Sequence, residues 1–483
     1  MLQRTPPQTD KTNDAPARPH RLKLAGLVGL MLALLSLTVL VARAAAITVT
    51  TTDDEVNADG DCSLREAIIA ANTDTAVDAC PAGNDADTII LPAGTYLLSL
   101  AGASEDAAAT GDLDITEDLT ITGADRTSTI IDADGLDRVF DLIGFPVVQI
   151  SDVTITGGSA GSNPGGGIDV EFGDLTLTRS RVTNNTGNLG AIHVGSAGAL
   201  TLTNSRVDNN NGANGGGIAV AQPAPATLIN SDIFSNTASF NGGGIFNSGR
   251  LTLVNSTVSG NSAADDGGGI FSSGPTNLFN VTISNNTADR FDNGIGEGGG
   301  IYVLTDTLTA RNTIIAGNFD DSTSGSQHPD CSGTLTSPRY NLVENTTGCM
   351  VTGSPFGNIT GVSPNLGPLQ DNSGDTLTHA LLAGSPAIAG GDPAGCTDQN
   401  GAILITDQRG AIRTGPCDIG AYAFNSPGTA TPTVTPTPTN TPTPTMTSTP
   451  TITPGPAPST TPTVTATLPP PADYRVYLPL IHK

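Results

Sequence analysis

Apolar and polar residues alternate in short runs along most of this chain, and the runs come back at a regular interval. Leu251-Thr252-Leu253-Val254-Asn255-Ser256 is typical, and no helix-period pattern separates it from the next such run. Alternation of this kind predicts short β-strands, each too short to stand alone. Ahead of the strands stands a glycine corner. Gly165-Gly166-Gly167-Ile168 recurs as Gly215–Ile218, Gly242–Ile245, Gly267–Ile270 and Gly298–Ile301, with a degenerate copy at Gly190-Ala191-Ile192. The isoleucines lie 24, 26, 27, 25 and 31 residues apart. A branched residue (Val182, Val207, Ile233, Val258, Ile283, Ile314) and an asparagine (Asn185, Asn210, Asn236, Asn261, Asn286, Asn318) close each unit. A second asparagine column runs through Asn204, Asn230, Asn255, Asn280 and Asn312.

Units of about 25 residues fit one coil of a parallel β-helix with two or three strands per turn. Stacking would set each residue over its copy one strand spacing away, roughly 4.8 Å. Isoleucine and leucine then form inward ladders. Asparagine suits corners because it tolerates left-handed backbone and can pair its amide with the next coil. The long last interval places an insertion near Asp289–Glu297. The glycine triplets lack the phosphate-loop pattern and introduce no helix, so nucleotide binding is not indicated. A period near 25 also argues against a calcium-binding nonapeptide roll. The fold class expected is all-β: a right-handed parallel β-helix with a short N-terminal capping helix, a C-terminal cap and a disordered Pro/Thr stalk.

At the N-terminal end, Ser63 followed by Glu66 forms a capping box, which predicts a helix over 64–71. It would cover the open edge of the first coil. The same stretch nearly matches a calcium loop, with Glu55, Asn57, Asp59 and Glu66 as ligands and Gly60 at the turn. Glu66 cannot serve both arrangements without compromise, and the capping turn is the preferred reading over Ca2+. The hexapeptide Cys62-Ser63-Leu64-Arg65-Glu66-Ala67 resembles the signature of the CSLREA domain, and Asp87–Tyr96 fits that family's continuation. The resemblance implies an exported bacterial β-helix protein and no particular chemistry.

Near the other end, Asn365–Asn372, Thr378–Leu381, Gly384–Ile388, Asp407–Gly410 and Cys417–Tyr422 resemble the choice-of-anchor Q domain, which follows β-helices in bacterial surface proteins. Arg409 and Asp418 are read there as an ion pair closing the last coil. Residues 427–472 are almost wholly Pro, Thr, Ser, Ala and Gly, which predicts an extended stalk. Residues 473–483 form a short apolar tag read as a sorting or attachment signal. The remaining divisions are 1–46, a signal segment; 47–110, the N-terminal cap and first coil; 111–325, the repeats; and 326–426, the last coils and C-terminal cap.

Composition narrows the function classes. The net charge is −26, which repels phosphate backbones and excludes nucleic acid as a partner. A basic start, the uncharged run Leu24–Val41 and small residues around Ala44 and Ala46 form a signal-peptide pattern, with an uncleaved anchor as the alternative. Membrane contact is expected only through that segment or the C-terminal tag. Six cysteines in an exported chain favour disulfides, and spacing suggests Cys62 with Cys80, Cys331 with Cys349, and Cys396 with Cys417. All lie outside the glycine-rich middle, where staples would hold the ends of a stack.

The residue types that catalysis on a β-helix would need are sparse. Lyase chemistry at a sugar α-proton needs a base and a way to neutralise the sugar's carboxylate, and the repeats carry no lysine. Hydrolysis needs two facing carboxylates. Asp169, Glu171 and Asp174 on one coil and Asp265 and Asp266 on another are the candidates, although acids are usual at turns. His193, His328 and His379 form no cluster, and each is read as a surface or cap residue. The expectation is therefore a non-enzymatic cell-surface protein, structural, adhesive or glycan-binding, whose partner is the cell envelope or an extracellular glycan or protein surface. The alternative is a polysaccharide lyase or hydrolase. No cofactor is expected beyond Ca2+ at the N-terminal loop.

Overall fold

The computed structural model describes residues 45–426, apart from 103–104, 292–293, 295 and 324–325. The apolar leader, Ala44, the Pro/Thr-rich stretch and the C-terminal tag lie outside the described residues; Ala46 opens the first strand, Ala46–Thr48. The repeats form a parallel β-helix. One coil runs through Ile245–Asn247, Arg250–Val254, Thr257–Ser259 and Ser262–Ala263 before the next glycine corner. The following coil lies in register beside it: Ile245 pairs with Ile270, Leu251 with Thr276, Val258 with Ile283 and Ser262 with Thr287. Repeated along the chain, these pairings build an eighteen-stranded, an eleven-stranded and a six-stranded sheet. The middle coils thus carry four strands where alternation predicts two or three. The fourth is two residues long, too short for alternation to register.

Like side chains stack on like inside. Ile168, Ile192, Ile218, Ile245, Ile270 and Ile301 are all buried, as are Leu177, Leu202, Leu228, Leu253 and Leu278. The glycine triplets serve two purposes. Gly242 takes φ +68°, a left-handed corner that favours glycine. Gly243 and Gly244 are needed for closeness instead: a Cβ on either would run into the carbonyl of Gly268 or Gly269 in the next coil.

The two asparagine columns also divide their work. Asn204, Asn230, Asn255, Asn280 and Asn312 adopt φ of 47–57° at corners. The other column is a buried hydrogen-bonded ladder. Asn185, Asn210, Asn236, Asn261 and Asn286 each donate both backbone N–H and side-chain Nδ2 to the Oδ1 one coil further on, at 2.9–3.1 Å. Asn318 ends the series by donating to the carboxylate of Asp330. Burial, against these hydrogen bonds, pushes that carboxyl up to about 6.

The N-terminal helix spans Leu64–Thr73 with its capping box formed. Arg65 is fully buried on it, pairs with Asp54 at 2.6 Å, and donates to the carbonyls of Ala108, Gly111 and Asp112. Asn72 bonds the backbone of Asp114 and Thr116. Disulfides join Cys62 to Cys80, Cys331 to Cys349 and Cys396 to Cys417. These fit an extracytoplasmic protein, and no helix among the described residues is long and apolar enough to cross a membrane.

After the last coil the chain turns back along the flank of the eleven-stranded sheet. The Asp375 carbonyl accepts from Arg206, Leu377 N–H donates to Asp232, Gln408 accepts from Thr257, Thr397 accepts from Asn280, and Asp392 pairs with Arg311. Arg409 pairs with Asp407 at 2.7 Å, not with Asp418 as expected. The carboxylate of Asp418 instead accepts the backbone N–H groups of Ala389 and Phe424. Two residues' separation holds Asp407 within Arg409's reach, and Asp418 is occupied by its own loop.

Asn236→Ala would leave both donors of buried Asn210 without their acceptor. We expect a loss of about 2–4 kcal/mol in unfolding free energy by urea titration, since each orphaned buried donor costs about 1–3 kcal/mol.

Candidate functional site

The first strand of a coil turns two residues inward, both apolar from Leu113/Ile115 through Ile218/Val220, and points the one between them outward. Parallel register turns these outward residues into a single file. Asp114 stands beside Asp141, Asp141 beside Asp169, and Asp169 beside His193. The file continues through Ala219, Phe246, Phe271, Tyr302 and Ser332. One face of the solenoid thus carries three acids and a histidine at one end and stacked aromatic rings at the other. Phe246 and Phe271 have centroids 4.9 Å apart, and Phe271 and Tyr302 5.4 Å apart.

The acid end is unusually dry for an outer face. Asp112, Asp114, Asp169 and His193 are buried. His193 Nδ1 lies 2.7 Å from Asp169 Oδ1. With that carboxylate accepting from Nδ1–H, Nε2 is the ring's basic nitrogen. Glu171, two residues along the strand, brings its carboxylate within 4.8 Å of both Asp169 and His193. Glycine at 195 makes room for it, because a Cβ there would strike the Glu171 carboxylate.

A second group adjoins on the preceding coils. Carboxylate oxygens of Asp112, Asp114 and Asp141 also lie within 4.8 Å of one another. Arg138 bridges two of them, at 2.7 Å to Asp112 and 2.9 Å to Asp141. Asp114 Oδ2 accepts the N–H of Ala108 at 2.8 Å, while its Oδ1 is buried without a partner. Burial, reinforced by the charges of Asp112 and Asp141, pushes Asp114 up to about 7. Asp141 is likewise pushed to about 7, by burial and by Asp169 and Asp112 against the pull of Arg138. Arg65 of the N-terminal helix holds the segment Ala108–Asp112 in place, so the cap helps to assemble this group.

Among residues singled out from sequence, Asp169 and Glu171 come together here. Asp174 is exposed on the continuation of their strand and outside the cluster. Asp265 and Asp266 lie about four coils away, roughly 19 Å at the strand spacing. Asp266 accepts from Glu297 N–H at 2.9 Å and is pushed to about 6 by burial and by Glu297 and Asp265. At the N-terminal loop Glu66 is occupied, accepting the N–H groups of Asn57 and Ser63 at 3.0 Å. Asp61 replaces it beside Glu55 and Asp59, and Asn57 donates to both Glu55 and Asp59. Asp112, Asp114, Arg138 and Asp141 carry no signal in the sequence reading, and His193, expected at the surface or in a cap, is instead buried beside Asp169 and Glu171. A signal existed for His193: it holds the position after the coil isoleucine, as Asp169 does.

Residues 144–319 match the family described as "Right handed beta helix region". Two solved structures are similar. One is a pectate lyase, Pel9A, at 17% identity and TM-score 0.47, covering 79% of this chain and 96% of that one. The other is a mannuronic acid specific polysaccharide family 6 lyase from human gut microbiota, at 11% identity and TM-score 0.23, covering 56% of this chain and 78% of that one. No curated protein matches the chain. The expectation of a non-enzyme is corrected: both similar solved proteins are polysaccharide lyases, and the register gathers into one place a histidine and acids that are scattered in sequence.

Asp114 and Asp141 hold protons in the folded chain at pH values where the unfolded chain, with carboxyls near 3.8, has lost them. The folded state binds more protons between about pH 4 and 7, so stability falls as pH rises through that window. Scanning calorimetry at about pH 5 and about pH 8 should show a smaller drop in Tm for Asp114→Asn than for the parent.

Proposed function

We propose that this chain is an exported enzyme that cleaves acidic polysaccharides on the acid–histidine face, with His193 as general base. The observation that carries the reading is the Asp169–His193 pair standing in register beside the Asp114–Asp141 acids. Asp169 orients the imidazole, and Nε2 takes the proton α to a uronate carboxylate. The C–H electron pair becomes the new C=C bond, the glycosidic oxygen leaves, and solvent protonates it. Glu171 supports the imidazolium that forms. An imidazole base, rather than two facing carboxylates, favours elimination over hydrolysis.

An acidic site meeting an acidic sugar needs its charge offset. Near neutral pH the protons on Asp114 and Asp141 serve in part. The buried, unpartnered Asp114 Oδ1 also fits a divalent cation, which Asp112, Asp114 and Asp141 would hold. Bound there, it would supply positive charge to the sugar's carboxylate. Export is supported by the leader pattern, the CSLREA-like and choice-of-anchor Q-like motifs and the disulfides. The partner is then an extracellular glycan, and the tag at 473–483 attaches the chain to the cell envelope.

Incubation with polygalacturonate or alginate should release unsaturated ends, read by ultraviolet absorbance. His193→Ala should lower that rate by about 10²–10⁴-fold. Binding without new ends in the parent, or full turnover in the variant, would overturn the reading. Calcium should raise Tm more at about pH 8 than at about pH 5, because it competes with protons on Asp114 and Asp141. Asp114→Asn should remove most of this gain; an unchanged gain would move the ion to Glu55, Asp59 and Asp61.

A further inference from the structure

Beside the acid end of the file, the chain does something that folding alone does not explain. The turn Gly144-Phe145-Pro146 follows the strand Phe140–Leu142, whose outward residue is Asp141. Phe145 adopts φ +71°, a left-handed conformation that a bulky side chain rarely takes. No burial offsets that cost, since Phe145 is 64% exposed. Its ring meets Phe172 edge-to-face with centroids 5.1 Å apart. Phe172 is itself 37% exposed and follows Glu171 directly, where the strand's register to the next coil shifts. Gly173 lets the turn approach, because a Cβ there would meet the backbone of Pro146.

Backbone strain that holds an exposed ring in place is a feature of ligand clamps. The position fits one. Phe172 lies three residues beyond Asp169, roughly 10 Å along the strand, or about two sugar rings' breadth from the base. Phenyl rings beside a polar site offer an apolar, rigid surface to the C–H face of a sugar. We propose that Phe145 and Phe172 form an aromatic platform that stacks a pyranose ring of the polysaccharide engaged at His193. This rests on the function proposed above and adds a binding subsite to it.

The chain contains no tryptophan, so Phe172→Trp creates a single fluorescent reporter. In a His193→Ala background, which prevents turnover, oligosaccharides of polygalacturonate and alginate are titrated. One of them should shift the emission saturably, and adding Phe145→Ala should weaken that binding about tenfold. In the active chain, Phe145→Ala should raise KM more than it lowers kcat. Phe145→Gly should leave Tm unchanged or raise it, whereas a purely structural role would lower Tm. The platform is overturned if neither oligosaccharide shifts the reporter, or if KM is unchanged in the Phe145→Ala, Phe172→Ala double variant. A saturable shift with no unsaturated ends from the parent would sink the cleavage reading and leave the platform standing.

Discussion

Everything in this molecule depends on each coil lying over the last without slipping. Backbone pairing between parallel strands does not by itself choose the register, because a slipped strand would still find hydrogen bonds. The buried asparagine ladder supplies the choice. Each Oδ1 accepts two hydrogen bonds from the neighbouring coil, one of them from backbone. A slip would break both in a place that water cannot repair. The glycine triplets add steric closure, since their neighbours leave no room for a Cβ. With register held at both points, whatever the outward position carries is lined up one rung apart.

That alignment turns dispersed residues into a site. Asp114, Asp141, Asp169 and His193 are separated by more than twenty residues at each step, yet stand side by side. Burying acids side by side is unfavourable, and the Asp114 and Asp141 carboxyls are raised by that burial first and by their neighbours' charges second. A stack built for stability alone gains nothing from such a row, and other coils put alanine or phenylalanine at the same position. The N-terminal helix is drawn into the same arrangement. Arg65 is held by Asp54 and spends its remaining donors on the loop that carries Asp112, which couples the capping of the first coil to the shape of the acid group.

Much of the fold was legible because a repeat writes the same physical requirement many times. The Gly-Gly-Gly-Ile corners, the two asparagine columns and the Ser63–Glu66 box all sit where the pattern placed them. The fourth strand was not legible, since Ser262–Ala263 is too short to alternate. The site was half legible. Asp169 and Glu171 share a strand and are visible together, but Asp112, Asp114 and Asp141 lie on degenerate early coils whose register cannot be counted from glycine triplets. Arg409 was paired with the wrong acid because proximity across a folded loop has no periodic trace.

The uneven use of the outward file says something about how the face would work. Its acid end is largely buried, with Asp114 and Asp141 pushed up to about 7, while its other end is a pile of aromatic rings that stack on one another. Stacked rings fill space and stiffen the face; they leave few ring faces open. Phe145 and Phe172 are the opposite case, edge-to-face, exposed and held partly by strain. If recognition needed only apolar surface, the ring pile would suffice and the strained turn would have no reason to persist. Under the proposed function, an acidic protein approaching an acidic polymer would gain no long-range attraction, so short-range contacts would have to carry the encounter. The proposed aromatic platform would supply such contacts without adding charge, on the same face as the Asp169–His193 pair.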